Sequence, residues 1–241
     1  MQITVNGQLL LSMLTEEIVN YIPCTILQVN TDGITLKYNK EYSEKIKGIM
    51  DWWQELTKLT LESNYYNLMV IRDVNNYIAR CINDKPKYKG AFEIIPMANG
   101  KKVYWKNVSM RIVPIALSEY FLNKIPIKDT IINHTNIFDF CKRFRTTEGW
   151  TSEIRYTDKD LQPKTTKQQK NIRYYISNSG STLMKVHNDK RESNIEKGWL
   201  ITIFNKFIQK SIKDYNINYQ YYINECNKII DIIEEKQLSL F

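Results

Sequence analysis

The chain has 241 residues, 43% of them hydrophobic, and a formal net charge of +8, which is core material for one large domain or two small ones. No apolar run approaches the length of a bilayer span and no signal-peptide pattern opens the chain, so a cytoplasmic protein with no membrane partner is expected. Cys24, Cys81, Cys141 and Cys226 lie far apart with no Cys-x-x-Cys pair, and His134 and His187 are the only histidines; zinc clusters, disulfide frameworks and serine-type triads therefore have little to work with.

From Gly7 to Ile22, the apolar residues Leu10, Leu14, Ile18 and Tyr21 recur at helical spacing, and Pro23 stops the helix. Two short alternating runs follow, Thr25 to Val29 and Ile34 to Tyr38, separated by Asn30-Thr31-Asp32-Gly33. They predict a β-hairpin with Asp32 at its tip and with Gly33 supplying positive φ. A displayed carboxylate is a natural ligand for a hard cation such as Mg2+, although most Asp-Gly pairs are only solvated turns. Tyr42, Ile46, Ile49, Trp53 and Leu56 then mark one face of a second helix, in which Trp52 and Trp53 are expected as core anchors rather than base-stacking platforms.

Four strands are predicted between residues 59 and 94: Leu59 to Glu62, Leu68 to Ile71, Tyr77 to Cys81 and Lys89 to Ile94. The pattern shifts near residues 95 to 106, a natural domain boundary. Helices are predicted beyond it, over Met110 to Leu122 with an interruption at Pro114, Ile137 to Phe144, Leu200 to Ile212 and Tyr219 to Glu235. Asp158 to Asn171 is almost devoid of apolar residues and reads as a mobile loop. From Lys142 to Arg173, nine basic residues face four acids, with Tyr156 nearby and Tyr174 and Tyr175 following. That mixture suits phosphate contact and stacking, and a solvated lysine-rich loop is the competing reading.

The order of three features resembles the C-terminal half of phage-type family B DNA polymerases. They are Asn30-Thr31-Asp32-Gly33-Ile34, the helix with paired tryptophans, and Arg72-Asp73-Val74-Asn75-Asn76-Tyr77-Ile78-Ala79 followed by Lys87-Tyr88-Lys89-Gly90. Asn6 to Leu10 looks like the start of the helix that leads into the hairpin in that family. The likeness is sharp over residues 1 to 93 and loose beyond. It implies an α+β fold: a partial palm over 1–97, in which the hairpin is motif C, then a mainly helical thumb over 98–236. The implied activity is template-directed nucleotidyl transfer on primer-template DNA and dNTP, with two Mg2+ ions. Asp32 matches one metal-binding carboxylate, while Asn30 stands where the family usually carries another Asp.

The same resemblance implies DNA contacts by Asn30, Thr31, Arg72, Asn75, Asn76, Tyr77, Lys87, Lys89 and Gly90. In the family a Lys-x-Tyr pattern touches the minor groove; Tyr77 fits it, and Asn75 takes the place of the Lys. The family's upstream DxxSLYP and KxxxNSxYG motifs are missing, as is any exonuclease acid cluster. The chain therefore looks like the final segment of a polymerase whose N-terminal part is another polypeptide, in the host cytoplasm if phage-encoded. A non-catalytic DNA-binding, clamp-tethering subunit is the alternative. Finally, Gln237-Leu238-Ser239-Leu240-Phe241 resembles the pentapeptide by which bacterial replication proteins grip the sliding clamp. Leu238, Leu240 and Phe241 would fill an apolar pocket and Gln237 would supply orienting hydrogen bonds; folding of Leu240 and Phe241 onto the chain's own core is the bland alternative.

Overall fold

The computed structural model describes residues 2–94, 97–98, 101–102, 109–158 and 160–238, with side chains described for 5–94, 109–158 and 160–235. The chain divides into two compact units. The first comprises Met1–Asn67, Asp73–Asn75 and Cys81–Lys85, and the second Leu68–Arg72, Asn76–Arg80 and Pro86–Phe241.

In the first unit, α1 (Gln2–Tyr21) leads to β1 (Cys24–Val29), β2 (Ile34–Tyr38) and α2 (Ser43–Thr57). Pro23 ends α1 because the residue before a proline is driven out of the helical region. The buried stripe of α1 is Leu11, Leu14, Ile18 and Ile22, and it packs with Ile46 and Trp53 of α2. Tyr21, expected on that stripe, is exposed. The Trp53 indole N–H donates to the Leu10 carbonyl at 2.9 Å, which pairs the polar edge of a buried ring. Trp52 is 43% exposed and Leu56 is exposed as well, so of the two tryptophans only Trp53 anchors the core. Adjacent helical residues point about 100° apart, so the two cannot share one face. α2 ends on Lys58 in the left-handed region, whose N–H bonds Gln54 O, and residues 58 to 65 run irregularly where a strand was expected at Leu59 to Glu62.

Strands β3 (Tyr66–Asp73), β4 (Asn76–Cys81) and β5 (Pro86–Lys89) form a sheet in that order, separate from the two-stranded β1–β2 sheet. Lys89 is followed by a 3-10 turn over Gly90–Phe92 instead of a continuing strand. Two-residue strands β6 (Met97–Ala98) and β7 (Lys101–Lys102) pair with each other.

Beyond them lie α3 (Ile112–Asn123), α4 (Ile127–Asn133), β8 (Lys142–Arg145), β9 (Trp150–Thr157), β10 (Pro163–Lys167), β11 (Asn171–Ser177), β12 (Thr182–His187), β13 (Glu192–Asn194), β14 (Leu200–Ile203) and α5 (Tyr219–Leu238). Pro114 sits in the first turn of α3 without interrupting it, since the amide it lacks would have no helical partner there.

This segment is not the mainly helical thumb expected from the sequence: its described residues form two antiparallel sheets, β10-β9-β12-β13 and β14-β11-β8, beside three helices. The helix expected over Ile137 to Phe144 is a 3-10 turn, capped by the Asn136 side chain, followed by β8. The one expected over Leu200 to Ile212 is β14 and an irregular stretch. The expected mobile loop at 158–171 contains β10, which pairs with β9 although all five of its residues are exposed. α3, α4 and α5 share one core with the sheet residues Ile172, Tyr174, Ile176, Leu183 and Ile201. Inside it Glu196 is buried and fully engaged: Lys142 Nζ lies 2.6 Å from Oε1, and the Tyr174 hydroxyl donates to the same oxygen at 2.5 Å. The coarse α+β class thus holds, with strands where a helical second half was expected.

Candidate functional site

In the first unit the β1–β2 hairpin carries Asp32 at its tip, exposed. The turn closes on a hydrogen bond from the Asn30 amide to the Gly33 carbonyl at 2.8 Å, with Thr31 and Asp32 as the two intervening residues. Gly33 is not among the residues with positive φ, contrary to the sequence expectation. A Cβ on Gly33 would meet no atom within 4 Å, so neither backbone conformation nor internal packing demands glycine there. Its bareness keeps the approach to the tip open.

The hairpin register slips between Ile26 and Gln28: Ile26 faces Leu36 while Gln28 faces Thr35, leaving Leu27 as a bulge. Such a bulge re-aims the side chains that follow. Gln28 is consequently buried, with 6% exposure, directly before the turn. Its amide nitrogen donates to Asn30 Oδ1 at 3.0 Å and to the Val74 carbonyl at 2.6 Å, which ties the β1–β2 turn to the tip between β3 and β4. Gln28 Oε1 is buried without a hydrogen-bond partner. Asn75, next to Val74, is exposed and its amide donates to Asp73 Oδ1 at 3.2 Å. Against this arrangement opens a cleft of about 480 Å³, lined by Gln8 and Ser12 of α1, by Asn30 and Thr31, and by Val74 among others. Asn30, Thr31, Asp32 and Asn75 are therefore gathered around one turn pair. Gln28, Gln8 and Ser12 escaped the sequence reading; the adjacent Ile26-Leu27 pair, which breaks strict alternation, is the signal that a bulge displaces Gln28.

The remaining expected contact residues belong to the second unit. Tyr77 faces Lys89, and Ala79 faces Lys87, across β4 and β5. Lys87 and Lys89 are exposed on the sheet edge, whereas Tyr77 is buried with 8% exposure, so its ring is covered instead of presented to a groove. β4 is the central strand of its sheet, with Ile78 and Ala79 fully buried on opposite sides. Asn76 Oδ1 accepts the Ala91 amide at 2.7 Å, and so supports the turn after β5. Gly90 opens that turn at φ +60, a conformation that explains the glycine without reference to a ligand. Arg72 lies in β3, half-buried and engaged.

α5 runs to Leu238, three residues past the expected helix end at Glu235, so the backbone of Gln237 and Leu238 is helical. No glycine or proline interrupts this stretch. Ser239, Leu240 and Phe241, the other three residues of the expected clamp pentapeptide, lie outside the described residues, as do the side chains of Gln237 and Leu238.

As a Mg2+ ligand, Asp32 is an exposed carboxylate free of any ion pair among the described residues. The chemistry fits one anionic donor in a shell otherwise made of phosphate, water and a further carboxylate. Asn30 Oδ1 is already occupied by Gln28, so that amide is a turn-holder. No group of three or more His, Cys, Asp or Glu that could hold a metal occurs among the described residues. No helix among them is long and apolar enough to cross a membrane. No family model matches the chain, and comparisons with curated proteins and with solved structures find no match.

Proposed function

We propose that this chain is the C-terminal segment of a replicative, family B-like DNA-directed DNA polymerase. It would contribute one palm carboxylate, primer-template contacts and a thumb to nucleotidyl transfer completed by an N-terminal part on another chain. One observation carries the reading: Asp32 stands exposed at the tip of a braced two-residue turn, beside an open cleft and next to a glycine that packing does not require. Leu9, Ile26, Leu27 and Val29 are exposed around α1 and the hairpin, apolar surface of the kind a complementing chain covers.

Asp32 would hold Mg2+ as one of two acids, the second coming from the complementing chain. When bound, the ions supply activation of the primer 3′-hydroxyl and neutralisation of the phosphates. Gln28 and Asn30 fix the turn so that the carboxylate is presented without reorganisation. Lys87 and Lys89 supply positive charge for backbone phosphates. Gln237, Leu238, Leu240 and Phe241 would tether the enzyme to a bacterial-type sliding clamp, which raises the local concentration of the primer end.

The test mixes the chain with an upstream segment carrying the missing carboxylate, Mg2+, primer-template and dNTPs, and compares wild type with Asp32→Ala. Extension by wild type and its loss in the variant is expected; equal extension by both refutes the assignment. A second reading, a non-catalytic clamp-tethering subunit, is favoured by Asn30, an amide where the family carries a carboxylate. It requires salt-sensitive duplex binding with no extension by either protein.

A further inference from the structure

Beside the sheet β14-β11-β8, whose strands carry exposed arginines, Phe138 and Phe207 are exposed, and together they make a cationic and aromatic surface. Arg173 of β11 lies directly opposite Arg143 of β8, and Asn171 opposite Arg145. All three arginines are exposed. Arg173 sends its carbonyl to the Phe204 amide, and its own amide to Asn205 Oδ1; the Arg143 amide donates to Ser109 Oγ. Both residues thus turn their backbone polar groups away from each other, which makes them a non-hydrogen-bonded pair, the kind whose side chains approach most closely. Like charges directly opposite in a sheet repel.

No carboxylate among the described residues relieves them. Among the described residues the guanidinium groups of Arg143, Arg145 and Arg173 form no ion pair and no side-chain hydrogen bond. Structural arginines of this fold behave otherwise: Arg155 is clasped by Glu153 and Glu192, and Arg111 lies 3.1 Å from Asp139.

The Arg173 guanidinium lies 5.4 Å from the centre of the Phe138 ring. Phe138 is stacked on Phe207 with centroids 5.5 Å apart and planes 25° from parallel, and both rings are exposed, by 39% and 59%. Beneath them Phe204 is buried and meets both edge-on, and it is itself wedged against Tyr175 and Tyr215. Lys206, adjacent in sequence to Phe207, is exposed as well. The two exposed rings therefore rest on a fixed aromatic base and need little ordering to receive a flat partner.

Unbalanced guanidinium groups call for phosphate, and exposed rings call for the face of a base. A duplex hides its base faces in its own stack, while a single strand offers both chemistries at once. We propose that this surface binds single-stranded DNA, with the backbone along Arg145, Arg143 and Arg173 and a base against Phe207. The deoxyribose identity rests on the polymerase reading above; the single-strandedness rests on the surface alone.

Fluorescence anisotropy of the full chain with a labelled oligothymidylate tests it, with circular dichroism as the check on folding. Phe207→Ala should weaken binding by about tenfold, the usual scale for loss of one base-stacking ring, and Phe207→Trp should retain it. Arg143→Ala combined with Arg173→Ala should lower the slope of log K against log salt by about 1.4, roughly 0.7 for each phosphate contact removed. A duplex of matching length should bind more weakly and ignore Phe207→Ala. The proposal is overturned if Phe207→Ala binds the strand as wild type does, if duplex binds equally well with the same dependence on Phe207, or if an oligouridylate is preferred. The binding assay contains no divalent ions, dNTPs or complementing chain, so failure here leaves the Asp32 assignment standing and failure of primer extension leaves this one standing.

Discussion

Gln28→Glu is the substitution most revealing of how the turn is held. The wild-type amide nitrogen donates to two acceptors, Asn30 Oδ1 and the Val74 carbonyl, from a site with 6% exposure. The introduced side chain has the same shape but, once ionised, no donor at all, so an anion faces two lone-pair-bearing oxygens in a dry place. Two acceptors lose their partner and the buried charge is desolvated, which together cost about 3 kcal/mol or more at neutral pH. Gln28→Leu also loses both bonds but removes the buried, unpartnered Oε1, and should cost about 1 kcal/mol.

The pH dependence separates the two. The introduced carboxyl would have a folded pKa above its unfolded value near 4.3, so the stability linked to its proton is fully present below that value and is lost as pH rises through the folded pKa. Urea unfolding followed by circular dichroism should show Gln28→Glu approaching Gln28→Leu near about pH 4 and falling well below it at neutral pH. Equal midpoints for the two variants at neutral pH would refute the placement of the amide nitrogen toward Val74.

Gly180→Ala should destabilise the second unit by several kcal/mol, on the order of 3 or more. Gly180 has φ +137, and a Cβ there would collide with the backbone carbonyl of Ile201; a midpoint unchanged in urea would contradict the turn geometry. Burial pushes the Cys141 and Cys226 thiols up to about 12. Their folded values exceed the unfolded ones, so stability should fall as pH rises from the ordinary thiol range toward 12, by about 1.4 kcal/mol per pH unit for each thiol. Cys226→Ala should remove its share of that slope, and a flat alkaline profile in the wild type would refute the burial argument. Trp53→Phe should cost about 1 kcal/mol through the lost bond to Leu10 O; an unchanged urea midpoint would count against that bond.

The first unit was legible in the sequence because its signals are local. Pro23 ends a helix, the alternating runs around Asn30 to Gly33 make a hairpin, and Trp53 continues a 3.6-residue period. The stripe of α1 is legible at Leu14 and Ile18 and misplaced at its ends, Leu10 for Leu11 and Tyr21 for Ile22, since Leu9, Leu10 and Leu11 are all apolar and only packing chooses Leu11. In the second unit Leu200 to Ile203 is a short, mostly apolar run and Phe140 to Phe144 a short mixed one, and the periodicity of each suits either helix or strand; pairing with β11, remote in the chain for β14, decides the matter. Asp32 could be placed at a tip from its neighbours alone, but the brace behind it, Gln28 to Val74, joins residues 46 apart and depends on a bulge. Tyr77 was legible as a strand residue and not as a buried one, because centrality in a sheet is a property of the whole fold.

β10 lies at the margin of its sheet with all five residues in water, a row of open main-chain groups that another polypeptide could zip onto. Its composition discourages that. Pro163 lacks an amide hydrogen, and Lys164 and Lys167 would bring like charges together if two copies met side by side. A polar border that reads like a slack loop thus works as a guard against aggregation, and replacing its lysines with valines would invite the protein to self-associate.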